Sequence, residues 1–78
     1  MDEKFIVLEI QTSADGKVST LTNSYDDINS AYNKYYTILA SASVSTVARH
    51  TAVLMSNTGF AYEYKYFDHV ILEEETQE

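Results

Sequence analysis

The chain has 78 residues, a formal net charge of −7, no Cys and no Pro. The excess of negative charge repels phosphate backbones and anionic lipid surfaces, so we expect no direct binding to nucleic acid or to a membrane. The lack of Cys excludes disulfide bonds and thiolate metal sites. At this length we predict a single small domain over residues 4–72, with acidic, frayed ends at residues 1–3 and 73–78.

Two strands at the start of the chain are predicted to form a hairpin. The first, KFIVLEIQT at residues 4–12, is apolar on both faces, which is typical of a central strand covered on its two sides. Asp15 and Gly16 supply the turn, because such a pair adopts the φ > 0 conformations of a tight hairpin. The second strand, KVSTLTNSY at residues 17–25, is rich in Ser and Thr, which indicates a sheet edge or a face open to water.

A single helix is predicted from Asp26 to Ser43. Apolar and aromatic residues recur there at the spacing of one helix face, and they are Ile28, Ala31, Tyr32, Tyr35, Ile38, Leu39 and Ala42. Ser24, Asp26 and Asp27 are the candidate caps of the first turn. A loosely wound end is predicted over residues 40–45, because no Gly stops the helix and Ser favours helices weakly.

The last third of the chain is predicted to form a second hairpin. Its first strand is HTAVLMS at residues 50–56, its turn is residues 57–59, and its second strand extends from Phe60 to about Ile71. Aromatic residues stand at every second position of this last strand, and they are Phe60, Tyr62, Tyr64 and Tyr66. Because strand side chains alternate between two faces, the spacing predicts four rings on one face and mostly polar groups on the other.

The order of elements predicts an α+β fold of ββαββ type, with a four-stranded antiparallel sheet and one helix packed on one face. One helix covers one face only, whereas the first and last strands carry large apolar groups on at least part of both faces. The face of the sheet away from the helix therefore needs something else to cover it, and we predict a homo-oligomer, a dimer or higher. Either two sheets pack face to face or the last strand pairs with its symmetry mate. The predicted interaction face is the aromatic stripe of Phe60, Tyr62, Tyr64 and Tyr66.

The sequence contains no motif for catalysis, metal binding or cofactor binding. His50 and His69 are the only His residues, and no Ser stands in a G-x-S-x-G elbow, so we predict no catalytic residue and no enzyme. There is no HExxH, no i, i+4 pair of His and no EF-hand spacing. Both Gly residues lie in predicted turns, which leaves no glycine-rich phosphate loop. We therefore predict no metal site and no cofactor.

Two further features are candidates for binding. Arg49 and His50 stand together at the mouth of the second hairpin and, with Tyr36, are candidate contacts for a ligand or an anion; simple solvation of these groups is the alternative. Seven Tyr residues exceed what a small core needs, and Tyr is enriched at interfaces. An interface is therefore favoured over plain core packing. Stacking of nucleic-acid bases would need a basic groove as well.

The stretch AYNKYYTILASASVSTVARH, residues 31–50, resembles small uncharacterised proteins encoded by phages and prophages of Gram-positive bacteria. In these proteins an acid-Gly turn precedes a helix with a Lys-Tyr-x-x-x-Leu core, an Ala/Ser-rich helix end, a His and a late second His. The matching positions here are Asp15, Gly16, Lys34, Tyr35, Leu39, Ala40, Ala42, Ser45, His50 and His69. The resemblance implies a phage accessory protein and implies no particular activity.

Three functions remain open at this point. The first is a non-enzymatic protein-interaction module that self-associates through its aromatic strand. The second is an acidic inhibitor of a basic host protein, for counter-defence or as a nucleic-acid mimic. The third is an oligomeric sponge that traps a small nucleotide-like ligand between aromatic rings and Arg49 with His50. The longest apolar run, Phe5 to Leu8, is far shorter than the ~20 residues that span a bilayer, so we expect a cytoplasmic location, in the host if phage-encoded.

Overall fold

A computed structural model of the chain describes residues 3–69. The elements are β1 (Phe5–Thr12), β2 (Val18–Tyr25), the helix α1 (Ile28–Ala42), β3 (Arg49–Ser56) and β4 (Ala61–Asp68). The strands form one antiparallel sheet in the order β2-β1-β3-β4. The predicted α+β fold of ββαββ type is confirmed. The predicted extension of β4 to Ile71 and the predicted frayed residues 1–2 and 73–78 lie outside the described residues.

The position of each strand follows from its composition. β1 lies between β2 and β3, as its two apolar faces predicted. β2, rich in Ser and Thr, forms one edge of the sheet, and the aromatic strand β4 forms the other. Gly16 and Gly59 have φ of 92° and 98°, so both hairpin turns use the left-handed backbone that Gly adopts without strain.

The helix is shorter at its start than the sequence predicted. Of the three candidate caps, Asp27 is the N-cap, and its carboxylate accepts a 2.8 Å hydrogen bond from the backbone N–H of Ser30. Asp26 instead forms a 2.9 Å ion pair with Lys4. After Ala42 the backbone continues in tighter turns, in which the N–H groups of Val44 and Ser45 each bond three residues back at 3.2 Å. The loosely wound end predicted over residues 40–45 is thus found only after Ala42, because residues 40–42 belong to the regular helix.

The core lies between α1 and the two middle strands. Its buried members are Val7, Ala31, Tyr35, Ile38, Ala52 and Leu54. The helical members recur at three- and four-residue spacing, and the strand members at two-residue spacing, so each element turns one face inward. A ring of half-buried residues surrounds this core, and they are Phe5, Tyr25, Ile28, Tyr32 and Leu39. All of this packing is on one side of the sheet.

Candidate functional site

The side of the sheet away from α1 is a continuous apolar surface. Val7 and Leu54 point into the core, so their neighbours along β1 and β3 point the other way. Opposite residues of paired strands share a face, which adds Tyr64, the partner of Val53, and Tyr66, the partner of Thr51. We call this surface the open face, and its apolar members are Ile6, Leu8, Ile10, Val53, Met55, Tyr64 and Tyr66. Within residues 3–69 no other helix or strand lies against it.

A β-bulge divides the aromatic stripe of β4 between the two sides of the sheet. Leu54 pairs with Glu63 and the next residue, Met55, pairs with Ala61, which leaves Tyr62 without an opposite residue. The alternation of side chains therefore shifts by one position at Tyr62. Tyr64 and Tyr66 belong to the open face, whereas Phe60 and Tyr62 lie on the helix side. The prediction that all four rings share one face is wrong for this reason.

Phe60 and Tyr62 instead join a second aromatic surface between the helix and β4. The Tyr62 ring lies 5.1 Å from that of Phe60 and 6.1 Å from that of the half-buried Phe5. On the helix, Tyr32 and Tyr36 stack at 5.8 Å between ring centroids. The hydroxyl of Tyr32 links the two groups by a 3.1 Å hydrogen bond to Glu63 of β4. We call this the α1–β4 surface, and its members are Tyr32, Tyr36, Phe60, Tyr62 and Glu63.

The three residues predicted as ligand or anion contacts do not converge. Arg49 lies on the open face, where its guanidinium holds Asp68 through two hydrogen bonds of 2.6 and 3.1 Å. It also lies 4.8 Å from the ring centre of Tyr66. His50, the next residue in β3, points under the helix and is only 4% exposed. Tyr36 belongs to the α1–β4 surface. The predicted pairing of Arg49 with His50 is not found, because successive strand residues point to opposite faces.

His50 is the buried member of a partly buried polar cluster that was not predicted from the sequence. Its Nε2 donates a 2.6 Å hydrogen bond to the carboxylate of Glu9, and Gln11 donates a second one of 3.1 Å to the same oxygen. Partial burial raises the pKa of Glu9, but the hydrogen bonds from His50 and Gln11 outweigh this effect, and the pKa lies below its ordinary value. The Nδ1 atom of His50 is buried without a hydrogen-bond partner among the described residues.

A groove lies beside this cluster on the helix side of β1 and β2. It has a volume of about 370 Å³ and is bounded by the first hairpin and by the loop that leads into β3. Its lining is mostly apolar by area and combines polar with apolar side chains, and the lining residues are Gln11, Ser13, Ala14, Lys17, Ser19, Thr46, Val47 and Ala48. Its volume lies at the small end of the range for small-molecule sites, roughly 300–1,000 Å³. The groove, and not Arg49 with His50, is therefore the candidate position for a small ligand.

A signal for the polar cluster was present in the sequence. Glu9 and Gln11 follow Phe5 and Val7 at two-residue spacing, so the face of β1 that faces the core becomes polar at its far end. Polar groups at such positions need partners. The identity of the partner, His50, depends on the pairing of β1 with β3, in which Gln11 lies opposite His50.

Among the described residues, no three His, Asp or Glu side chains come close enough to hold a metal ion. No helix in that part of the chain is long and apolar enough to cross a membrane. Comparisons with protein-family models, with curated proteins and with solved structures give no match for this chain.

Proposed function

We propose that this chain is a non-enzymatic protein-interaction module that assembles with a second copy of itself through the open face. The observation that carries the proposal is a sheet covered by a helix on one side and left apolar on the other within the described residues. Exposed apolar areas of several hundred square ångströms mark interaction sites. The resemblance to phage proteins adds the further proposal that the module acts as a phage accessory protein in the host cytoplasm.

The size of the open face suits a dimer. Four strands of eight residues, at about 4.8 Å between strands and about 3.3 Å per residue, give a face of roughly 500 Å². Two copies would then bury about 1,000 Å² in total, which reaches the lower limit for a biological interface but lies below the roughly 1,200–2,000 Å² of stable complexes, so we expect a dimer of modest affinity. The Ser and Thr side chains that β2 adds, at positions 20, 22 and 24 opposite β1, form a polar rim on one side.

Sedimentation velocity at micromolar concentration tests the proposal. We expect a dimer for the natural chain and a monomer for Val53→Lys, because this substitution sets a charge in the middle of the open face. Thr20→Lys is the matched control, since it adds the same charge at the rim opposite Ile10. A natural chain that stays monomeric at about 100 μM would refute assembly. A Val53→Lys dimer would point instead to pairing of β4 edges.

A small-ligand function is the second candidate, and the groove beside Glu9 and His50 favours it. Its hydroxyl, amide and ammonium groups, set among apolar Ala and Val side chains, suit a molecule with both polar and apolar parts, and its volume of about 370 Å³ suits a ligand of nucleotide-like size. The test is to purify the chain from cells that make such molecules, to denature it, and to record the ultraviolet spectrum of what is released. Chain free of absorbing material, with no change in Gln11 or Lys17 amide shifts on addition of nucleotides, would exclude this function.

A further inference from the structure

The α1–β4 surface exposes aromatic rings that the core does not use. Tyr36 is 57% exposed, Phe60 63% and Tyr62 38%, although each contacts another ring. This surface is on the helix side of the sheet, so assembly through the open face leaves it uncovered. Clusters of partly exposed Tyr are common at the centres of protein interfaces, since their rings give a large contact area with little loss of side-chain entropy.

Two carboxylates lie among these rings, and their orientation is fixed by Tyr hydroxyls. Tyr32 donates a 3.1 Å hydrogen bond to Glu63, and Tyr62 donates one to Glu3. The hydrogen bond to Glu3 raises the pKa of Tyr62, and burial together with the bond to Glu63 raises that of Tyr32. The ion pairs within the described residues involve other acids, so neither Glu3 nor Glu63 has a cationic partner there.

We propose that the α1–β4 surface binds an arginine-bearing basic segment of another protein. The faces of aromatic rings carry negative potential and attract cations placed over them. A guanidinium can stack on Tyr36 or Tyr62 and also donate hydrogen bonds to Glu63, because it is planar and presents its donors in a fork. The net charge of −7 brings such a segment to the surface and repels nucleic acid.

A second copy of this chain fits the surface poorly. The chain has only 5 Lys and Arg residues, and the described structure already uses several of them. Lys4 pairs with Asp26, Arg49 pairs with Asp68, and Lys65 lies 5.3 Å from the ring centre of Phe67. The occupant must therefore be a different and more basic protein. The surface would then act as an acidic inhibitor does, by covering a basic patch on its partner.

Fluorescence anisotropy with two labelled peptides tests this proposal. One peptide alternates Arg with Gly; in the other, citrulline replaces each Arg, which keeps the shape and removes the charge. We expect the Arg peptide to bind and the citrulline peptide to bind at least about tenfold more weakly. Binding of the Arg peptide should also weaken with added salt, because the surface is exposed.

Substitutions then show whether the Arg peptide binds at the α1–β4 surface or is attracted only by the net charge of the chain. Glu63→Gln and Asp15→Asn remove the same charge, but Asp15 lies in the first hairpin turn, outside the surface. We expect Glu63→Gln to weaken binding about three- to fivefold and Asp15→Asn less than about 1.5-fold. Tyr36→Leu keeps an apolar group and should weaken binding about two- to fivefold. Equal binding of the two peptides, or equal effects of Glu63→Gln and Asp15→Asn in chains with unchanged circular dichroism, would overturn the proposal.

Discussion

Replacing Tyr64 by Ser separates the two sides of β4 and tests which of them drives assembly. Tyr64 belongs to the open face and is 69% exposed in the single chain. A Tyr side chain buries about 200 Å² when fully covered. The exposed fraction therefore leaves about 140 Å² for a partner, which corresponds to at most about 3.5 kcal/mol at 25 cal/mol per Å².

The binding free energy that each Tyr64 ring is expected to contribute is smaller than this maximum, but a dimer contains two such rings. Association converts buried area into free energy incompletely, so we expect about 1–2 kcal/mol from each ring. A two-fold symmetric interface contains both copies of Tyr64, which gives about 2–4 kcal/mol. The dimer of Tyr64→Ser should then dissociate with a Kd roughly 30- to 1,000-fold higher than that of the natural chain, as measured by sedimentation equilibrium.

Phe60→Ser provides the matched control because Phe60 is 63% exposed but lies on the helix side of the sheet. We expect its Kd to stay within about twofold of the natural value. The free energy of unfolding of each monomer should change by no more than about 1 kcal/mol, since both rings are exposed. Equal weakening by Phe60→Ser and Tyr64→Ser would refute the division of the stripe between two surfaces, and no weakening by either would refute assembly through the open face.

Three further predictions concern the stability of the fold. Leu54 is fully buried, so Leu54→Ala should lower the free energy of unfolding by about 2–5 kcal/mol in urea titrations, whereas Leu54→Met should cost less than about 1.5 kcal/mol. Asp27→Ala removes the N-cap and should cost about 0.5–2 kcal/mol, while Asp27→Asn keeps the acceptor and should cost little; an equal loss in both variants would argue against capping. The lowered pKa of Glu9 stabilises the fold above its ordinary value of 4.5, and this contribution is lost as the pH falls through the folded-state pKa. Glu9→Gln should therefore flatten the loss of stability between about pH 5 and 3, measured by urea unfolding at each pH; an unchanged slope would contradict the Glu9–His50 contact.

The elements of this fold could be predicted from sequence because each has a local cause. The Asp-Gly turn at Gly16, the cap at Asp27 and the two apolar faces of β1 act over a few residues. The exposure of the second side of the sheet could also be predicted, because one helix covers only one of the two apolar faces. Neither conclusion depends on how distant strands are aligned.

The bulge at Tyr62 could not be predicted, because the period-two spacing of rings continues through it unchanged. The bulge lies close to the turn before β4. Ser56 is buried, and its hydroxyl accepts hydrogen bonds from the N–H groups of Thr58 and Phe60 at 3.1 and 3.3 Å. These bonds fix the start of β4 relative to β3. The contact of Glu9 with His50 was missed for a similar reason, since it depends on the alignment of β1 with a strand about 40 residues later.

The β-bulge also affects how far assembly can continue. β4 is an edge strand, and unpaired edges of flat strands can add further strands from other molecules without limit, as in fibres. A bulge twists the edge and interrupts its regular row of hydrogen-bonding groups, and Glu63 and Lys65 set charges beside it. Growth by edge addition is thereby discouraged, and association through the open face closes on two copies. A deletion of Tyr62 would restore a regular row of hydrogen-bonding groups at this edge, and we expect such a chain to form fibrils.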